Sequence, residues 1–146
     1  MTVLDAYAML ALLRDEPAAD EVESLLRGQC SMSTANLAET VDQLVRVFGR
    51  PTDDVHADLA LLVHAGLEVV PVDANIGLAA GDLRARHYHR ERCPVSLADC
   101  LAAATALSRE DPLATADPTL AAVVRAEGGD IVPLPDSTGR RPKLSG

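Results

Sequence analysis

The chain has 146 residues and a formal net charge of −9; 48% of its residues are apolar, yet it has two Tyr, one Phe and no Trp. A single domain of this size buries roughly two-thirds of its unfolded surface, so neither disulfides nor a structural metal is required to build a core. The charge argues against nucleic-acid binding through Lys and Arg neutralisation of phosphates, and so few rings leave little platform for base stacking. A nucleic-acid ligand would need cations at an acidic site, or a basic partner, to offset the repulsion.

Short β-like runs alternate with longer helical ones, which predicts an α/β fold. Residues 3–4 form a first strand, followed by a helix over 6–14. Pro17 suits the first turn of a second helix, which Gly28 closes, and residues 29–33 form a second strand. Leu37, Val41, Leu44, Val45 and Phe48 repeat as one face of an amphipathic helix that Gly49 and Pro51 end. Thr52-Asp53-Asp54 start another, running to about His64 and closed by Gly66. Residues 67–72 form a third strand, Asp73 opens a helix to about Tyr88, and 96–108 form an Ala-rich helix. A fourth strand over 113–116, a helix over 118–126 and a fifth strand over 131–134 follow, with Gly128-Gly129 turning between the last two. Residues 1–135 read as one domain and 136–146 as a mobile polar tail.

No apolar run reaches the ~20 residues of a membrane span. Thr2-Val3-Leu4 opens the chain without a signal peptide's basic and apolar stretches, so a cytoplasmic protein is expected. Cys30, Cys93 and Cys100 form no CxxC pair and are odd in number, which points to reduced thiols. His87-Tyr88-His89 with Cys93 fits no standard zinc spacing and reads as an exposed helix end. Arg84 and Arg86 read as a solvated helix face. There is no phosphate-binding GxxxxGK loop and no GxSxG elbow.

Four acids are informative. Asp5 stands where the first strand meets the first helix, and Asp117 holds the same place after the fourth strand, beyond the carboxyl ends of the strands where α/β sheets bind ligands. Each acid also has a structural role open to it. Asp5 can cap its helix, Asp117-Pro118 is a cap followed by proline at the first helical position, and Ser96-Leu97-Ala98-Asp99 is a capping box. Glu39 lies off the apolar stripe of its helix, on a face expected to be solvated. Together, though, Asp5, Asp99 and Asp117 at helix N-termini on one side of a parallel sheet would converge. Helix dipoles favour an anion there by only ~0.3–1 kcal/mol each, less than the repulsion among close, partly desolvated carboxylates. A hard divalent cation resolves that conflict.

The stretches Val3-Leu4-Asp5-Ala6, Ser33-Thr34-Ala35-Asn36-Leu37-Ala38-Glu39, Ser96-Leu97-Ala98-Asp99-Cys100-Leu101 with its Ala-rich continuation, and Leu113-Ala114-Thr115-Ala116-Asp117 resemble the four acidic motifs of PIN domains. In order and spacing they are similar to VapC-type toxins up to about residue 135. The resemblance implies a PIN-like fold, with a central, mostly parallel sheet of four to five strands flanked by helices. It implies a ribonuclease toxin of a type II toxin–antitoxin system that uses Mg²⁺ or Mn²⁺ and leaves 5′-phosphate and 3′-hydroxyl ends. Asp5, Asp99 and Asp117 would be metal ligands and Glu39 would complete the catalytic acids. Thr115 would hydrogen-bond ligands or substrate. The implied partners are RNA, a basic VapB-like antitoxin lying along the apolar first two helices, and a second copy of the chain. A non-catalytic PIN-like interaction module is the alternative, although all four acids are present. A receiver-type phosphoacceptor is disfavoured because no lysine occurs after Leu113 until Lys143.

Overall fold

Residues 30–33 and 113–115 are buried without a break, as strands are in a parallel sheet covered by helices on both faces. In the computed structural model, which describes residues 1–143, β1 (Thr2–Leu4), β2 (Cys30–Ser33), β3 (Glu68–Val70), β4 (Leu113–Thr115) and β5 (Ile131–Pro133) form one sheet. Its order is β3-β2-β1-β4-β5. All named pairings are parallel, with Val3 opposite Ser31 on one side and Leu113 on the other. The fold is therefore α/β as expected, and its sheet is parallel throughout.

One helical layer comprises α1 (Ala6–Leu13), α2 (Ala19–Arg27), α3 (Thr34–Asp42) and α4 (Thr52–His64). Met9, Val22, Leu44, Val55 and Leu59 there bury against Leu4, Met32, Ala114 and Leu134 of the sheet side. On the opposite face lie α5 (Ala74–His87), α6 (Leu97–Arg109) and α7 (Pro118–Ala126). Ala102, Ala103 and Ala106 of α6 pack with Val3, Leu113, Leu120 and Val124. Alanine on that face lets the α6 backbone approach the sheet closely, which is how a core nearly without rings is filled. α3 touches both α1 and α6, so it spans the carboxyl ends of the strands and joins the two layers there.

Several boundaries depart from the sequence reading for identifiable reasons. Pro17 lies in the turn before α2, whose first residue is Ala19; Asp15 there takes a left-handed φ of 52°. The amphipathic stripe that begins in α3 continues through a π-helical turn at Gln43–Val47, where Phe48 N–H donates to the Gln43 carbonyl at 3.1 Å. The added residue turns Val47 and Phe48 outward, 51% and 41% exposed, while Leu44 stays buried. β3 stops at Val70 because Pro71 has no N–H for a ladder, and Val72 N–H donates instead to Thr34 Oγ1 at 3.2 Å. Beyond β5 the Asp136 carboxylate accepts the N–H groups of Thr138 and Arg140. Arg141 pairs with Glu21 of α2 and donates to the Pro133 carbonyl at 3.0 Å. Residues 144–146, the end of the tail expected to be mobile, lie outside the described residues. Among the described residues no helix is long and apolar enough to cross a membrane.

Candidate active site

From β1 the chain moves outward through β2 and β3, then returns to place β4 on the other side of β1. The β1–β4 junction is thus the topological switch point, where loops leave in opposite directions and open a crevice. Asp5 follows β1 directly and Asp117 follows β4, so these two acids flank the crevice. Asp99 enters from the first turn of α6 and Glu39 from α3, the helix that spans the strand ends.

The capping roles are all realised. Asp5 Oδ1 accepts the Ala8 N–H at 2.9 Å. Asp99 Oδ2 accepts the Ser96 N–H at 3.0 Å while Ser96 Oγ accepts the Asp99 N–H, also at 3.0 Å. Asp117 Oδ1 accepts from Thr119 at 2.8 Å. Each acid thus gives one oxygen to its own helix. Among the described residues no three His, Cys, Asp or Glu side chains stand arranged as a metal cage, which agrees with carboxylates turned toward caps rather than toward one another.

Electrostatics nonetheless bind the four into one group. Asp5 is only 5% exposed; burial first, and then the charges of Asp99 and Asp117, push its pKa up to about 7, against opposing hydrogen bonds from Thr115 and Ala8. Burial and then Asp117 also raise Asp99. Burial and then Asp99 raise Glu39. Glu39 is therefore not on a solvated face, because the packing of α3 against α6 brings it half-buried beside Asp99. The donor set is entirely hard carboxylate oxygen, held at the cost of mutual repulsion, and that chemistry fits a divalent cation.

Thr115, expected to hydrogen-bond ligands or substrate, is fully buried and so meets the site acids but not a substrate. Its Oγ1 accepts the Asp117 N–H at 3.1 Å, and its hydroxyl stabilises the Asp5 carboxylate. Asn36 was not singled out in the sequence. It is 1% exposed, its Oδ1 accepts the Ser33 hydroxyl at 2.6 Å, and its Nδ2 donates to the Ala98 carbonyl at 3.2 Å. Its local signal was the Ser33-x-x-Asn36 cap pattern; its partner on α6 has none.

The remaining candidates are spent on structure. Arg84 Nε donates to the Val95 carbonyl at 3.1 Å, and its guanidinium lies 4.3 Å from the Tyr88 ring centre. Arg86 and His87 both meet Glu127, at 2.9 and 2.6 Å. His89 and Cys93 exchange backbone hydrogen bonds across a tight turn. Cys30, Cys93 and Cys100 are free thiols; burial, then Asp99, pushes Cys100 up to about 11, so its thiol is inert.

Strand order and helical layers define a doubly wound parallel α/β domain with acids beyond its strand ends, and the sequence profile of the PIN domain matches residues 2–126. The chain belongs to the PIN domain family. Among curated relatives it is 34% identical over 116 residues to a Ribonuclease VapC of Mycolicibacterium smegmatis, across 76% of this chain and 87% of that protein. Its fold is shared with the DNA-bound VapBC of Salmonella typhimurium: TM-score 0.68, 20% identity, 90% of this chain and 96% of that one. It is also shared with the sarcin–ricin-loop-cleaving toxin VapC20 of Mycobacterium tuberculosis: TM-score 0.62, 19% identity, 76% of this chain and 85% of that one. At those identities the structural likeness speaks for the fold alone.

Proposed function

We propose that this chain is a ribonuclease dependent on Mg²⁺ or Mn²⁺, acting in the cytoplasm as the toxin of a type II toxin–antitoxin pair. The observation that carries this reading is the placement of Asp5 and Asp117 just after β1 and β4, with Asp99 and Glu39 brought beside them by α6 and α3, where burial and neighbouring acids raise Asp5, Asp99 and Glu39. Identity to a ribonuclease supports RNA as the substrate. Asp5, Asp99 and Asp117 would hold the cation, which would lower the pKa of water and offset charge on the scissile phosphate. Glu39, the one acid of the four not used as a helix cap, orients the attacking water and takes its proton. Thr115, fully buried, holds the Asp5 carboxylate and the Asp117 backbone in register. Water oxygen bonds to phosphorus, the bond to the 3′ oxygen breaks, and that oxygen leaves with a solvent proton. Purified protein should cleave RNA with Mg²⁺ or Mn²⁺, stop on chelation and recover when metal is restored. Its products should carry 5′-phosphates. Cleavage that persists in excess chelator, or 2′,3′-cyclic phosphate ends, would overturn the mechanism.

The acidity of the chain suits a cationic antitoxin, since opposite charge speeds encounter. Tyr7, Leu10, Leu12, Leu13, Leu25 and Leu26 remain half-buried on α1 and α2, leaving apolar surface for an amphipathic or extended segment. An arginine of that segment reaching Asp5, Asp99 or Asp117 blocks the site by bidentate pairing. Leu78, Tyr88 and Leu97, 69%, 45% and 54% exposed on α5 and the start of α6, form the face we assign to a second copy. Expressed alone in its host the chain should be toxic, and the product of the adjacent small reading frame should bind it and relieve the toxicity. Sedimentation at micromolar concentration should show a species of twice 15.4 kDa. Harmless expression with no bound neighbour sinks the toxin reading, and a monomer alone sinks the dimer.

A further inference from the structure

Asn36 is almost fully buried, and a buried amide is retained at a desolvation cost that an apolar side chain would avoid. Its hydrogen bonds show what that cost secures. α3 and α6 belong to opposite helical layers, and the Asn36 Nδ2 donor meets the Ala98 carbonyl at 3.2 Å across 62 positions of sequence. A carbonyl can only accept, so the orientation of the amide is set, and its Oδ1 then takes the Ser33 hydroxyl at 2.6 Å. The Ala98 carbonyl is one end of the Ala98–Asp99 peptide unit. The other end, the Asp99 N–H, is held by Ser96 Oγ at 3.0 Å. The peptide that carries Asp99 is therefore clamped at both ends, by a cap within α6 and by Asn36 from α3.

Asn36 also stands one helical turn before Glu39, on the same face of α3. Its amide favours the ionised Glu39 carboxylate. One neutral side chain thus holds the peptide that carries one site acid and stands a helical turn from another.

We infer that Asn36 is the positioning residue that sets Asp99 against Glu39 and so fixes how tightly the acidic site grips its cation. The inference rests on the metal-dependent reading above and deepens it. Partners that orient metal ligands without touching the metal typically contribute 10–100-fold to metal affinity or activity, and that is the scale expected here.

The test compares wild type with Asn36→Ala and Asn36→Asp at pH 8, titrating Mn²⁺ and reading the free ion by electron paramagnetic resonance. Asn36→Asp keeps the shape and the Ser33 contact but loses the donor to Ala98, so it keeps the test alive if the alanine variant folds poorly. Added negative charge alone would tighten Mn²⁺ binding; loss of positioning weakens it. Both variants should bind Mn²⁺ about tenfold or more weakly, melt within a few degrees of wild type in chelator, and lose kcat with KM for RNA unchanged. If wild type binds Mn²⁺ and both variants bind it as tightly, or only the melting temperature moves, Asn36 is a structural residue and the inference fails while the nuclease reading stands. If wild type binds no Mn²⁺ at millimolar concentration, the metal-dependent reading itself falls and takes this inference with it.

Discussion

Asp99→Asn and Asp5→Asn should each lower RNA cleavage by more than ~100-fold, beyond the loss typical of residues that merely support metal ligands, while the chain stays folded. The two expectations come from different atoms of the same side chains. One oxygen of Asp5 accepts the Ala8 N–H and one of Asp99 accepts the Ser96 N–H; asparagine presents an equivalent carbonyl oxygen and is as good a helix cap as aspartate. The substitution therefore keeps the cap and deletes the charge. The deleted charge is one that burial and the neighbouring acids already oppose, so the metal-free protein gains from its loss. Alanine should differ: at position 5 it removes cap and charge together and costs about 1 kcal/mol in helix stability, and at position 99 it deletes the reciprocal half of the capping box that Ser96 heads. Full activity of either asparagine variant, measured on the RNA that wild type cuts, would remove that acid from the catalytic set. A melting temperature well below that of the alanine variant would show that the caps had been misjudged.

That separation of cap from charge also explains what the sequence disclosed. α5, α6 and α7 begin where Asp73, Ser96 and Asp117 place a capping side chain ahead of an apolar stripe, and both signals are local. Asp5 and Asp117 were legible as a pair because helix starts that follow parallel strands lie on one side of the sheet, and Asp99 was legible from its capping box at the start of α6, which follows α5 rather than a strand. β3 was read too long because Val69, Val70 and Val72 make a β-branched run on either side of Pro71, and the missing N–H outweighs that propensity. The π turn at Gln43–Val47 leaves composition unchanged and arises from how Leu44 seats in the core, so no residue announces it. The burial of Glu39 and the cross-layer contact of Asn36 were illegible for one shared reason. Both face α6, about 60 positions later in the chain, and Asn36 meets a backbone carbonyl there, which no side-chain pattern can encode. The half-buried state of Glu39 is a property of the α3–α6 contact.

Protons and cations should compete at Asp5, and the fold should register both. Aspartate ordinarily titrates near 3.8, whereas burial, reinforced by Asp99 and Asp117, pushes Asp5 up to about 7. The folded, metal-free protein then holds this proton more tightly than the unfolded chain. The stability Asp5 contributes is fully present below about pH 4, drains away as pH rises, and is gone above about pH 7. The loss is at most on the order of 4 kcal/mol, with Glu39 and Asp99 adding in the same direction. Asp5→Asn removes most of this dependence, so in chelator the variant should be the more stable protein at pH 8 and nearly equal to wild type at pH 4. A cation reverses the preference, because a ligating carboxylate must be deprotonated. Mn²⁺ should raise the melting temperature of wild type more at pH 8 than at pH 5.5, and its binding at pH 6 should release about one proton, measured by calorimetry in buffers of different ionisation enthalpy. At subsaturating Mn²⁺, RNA cleavage should fall about tenfold per pH unit below about pH 7. Equal Mn²⁺ affinity at pH 5.5 and pH 8, with no proton released, would mean that Asp5 does not ligate the ion and that its burial serves only the cap of α1.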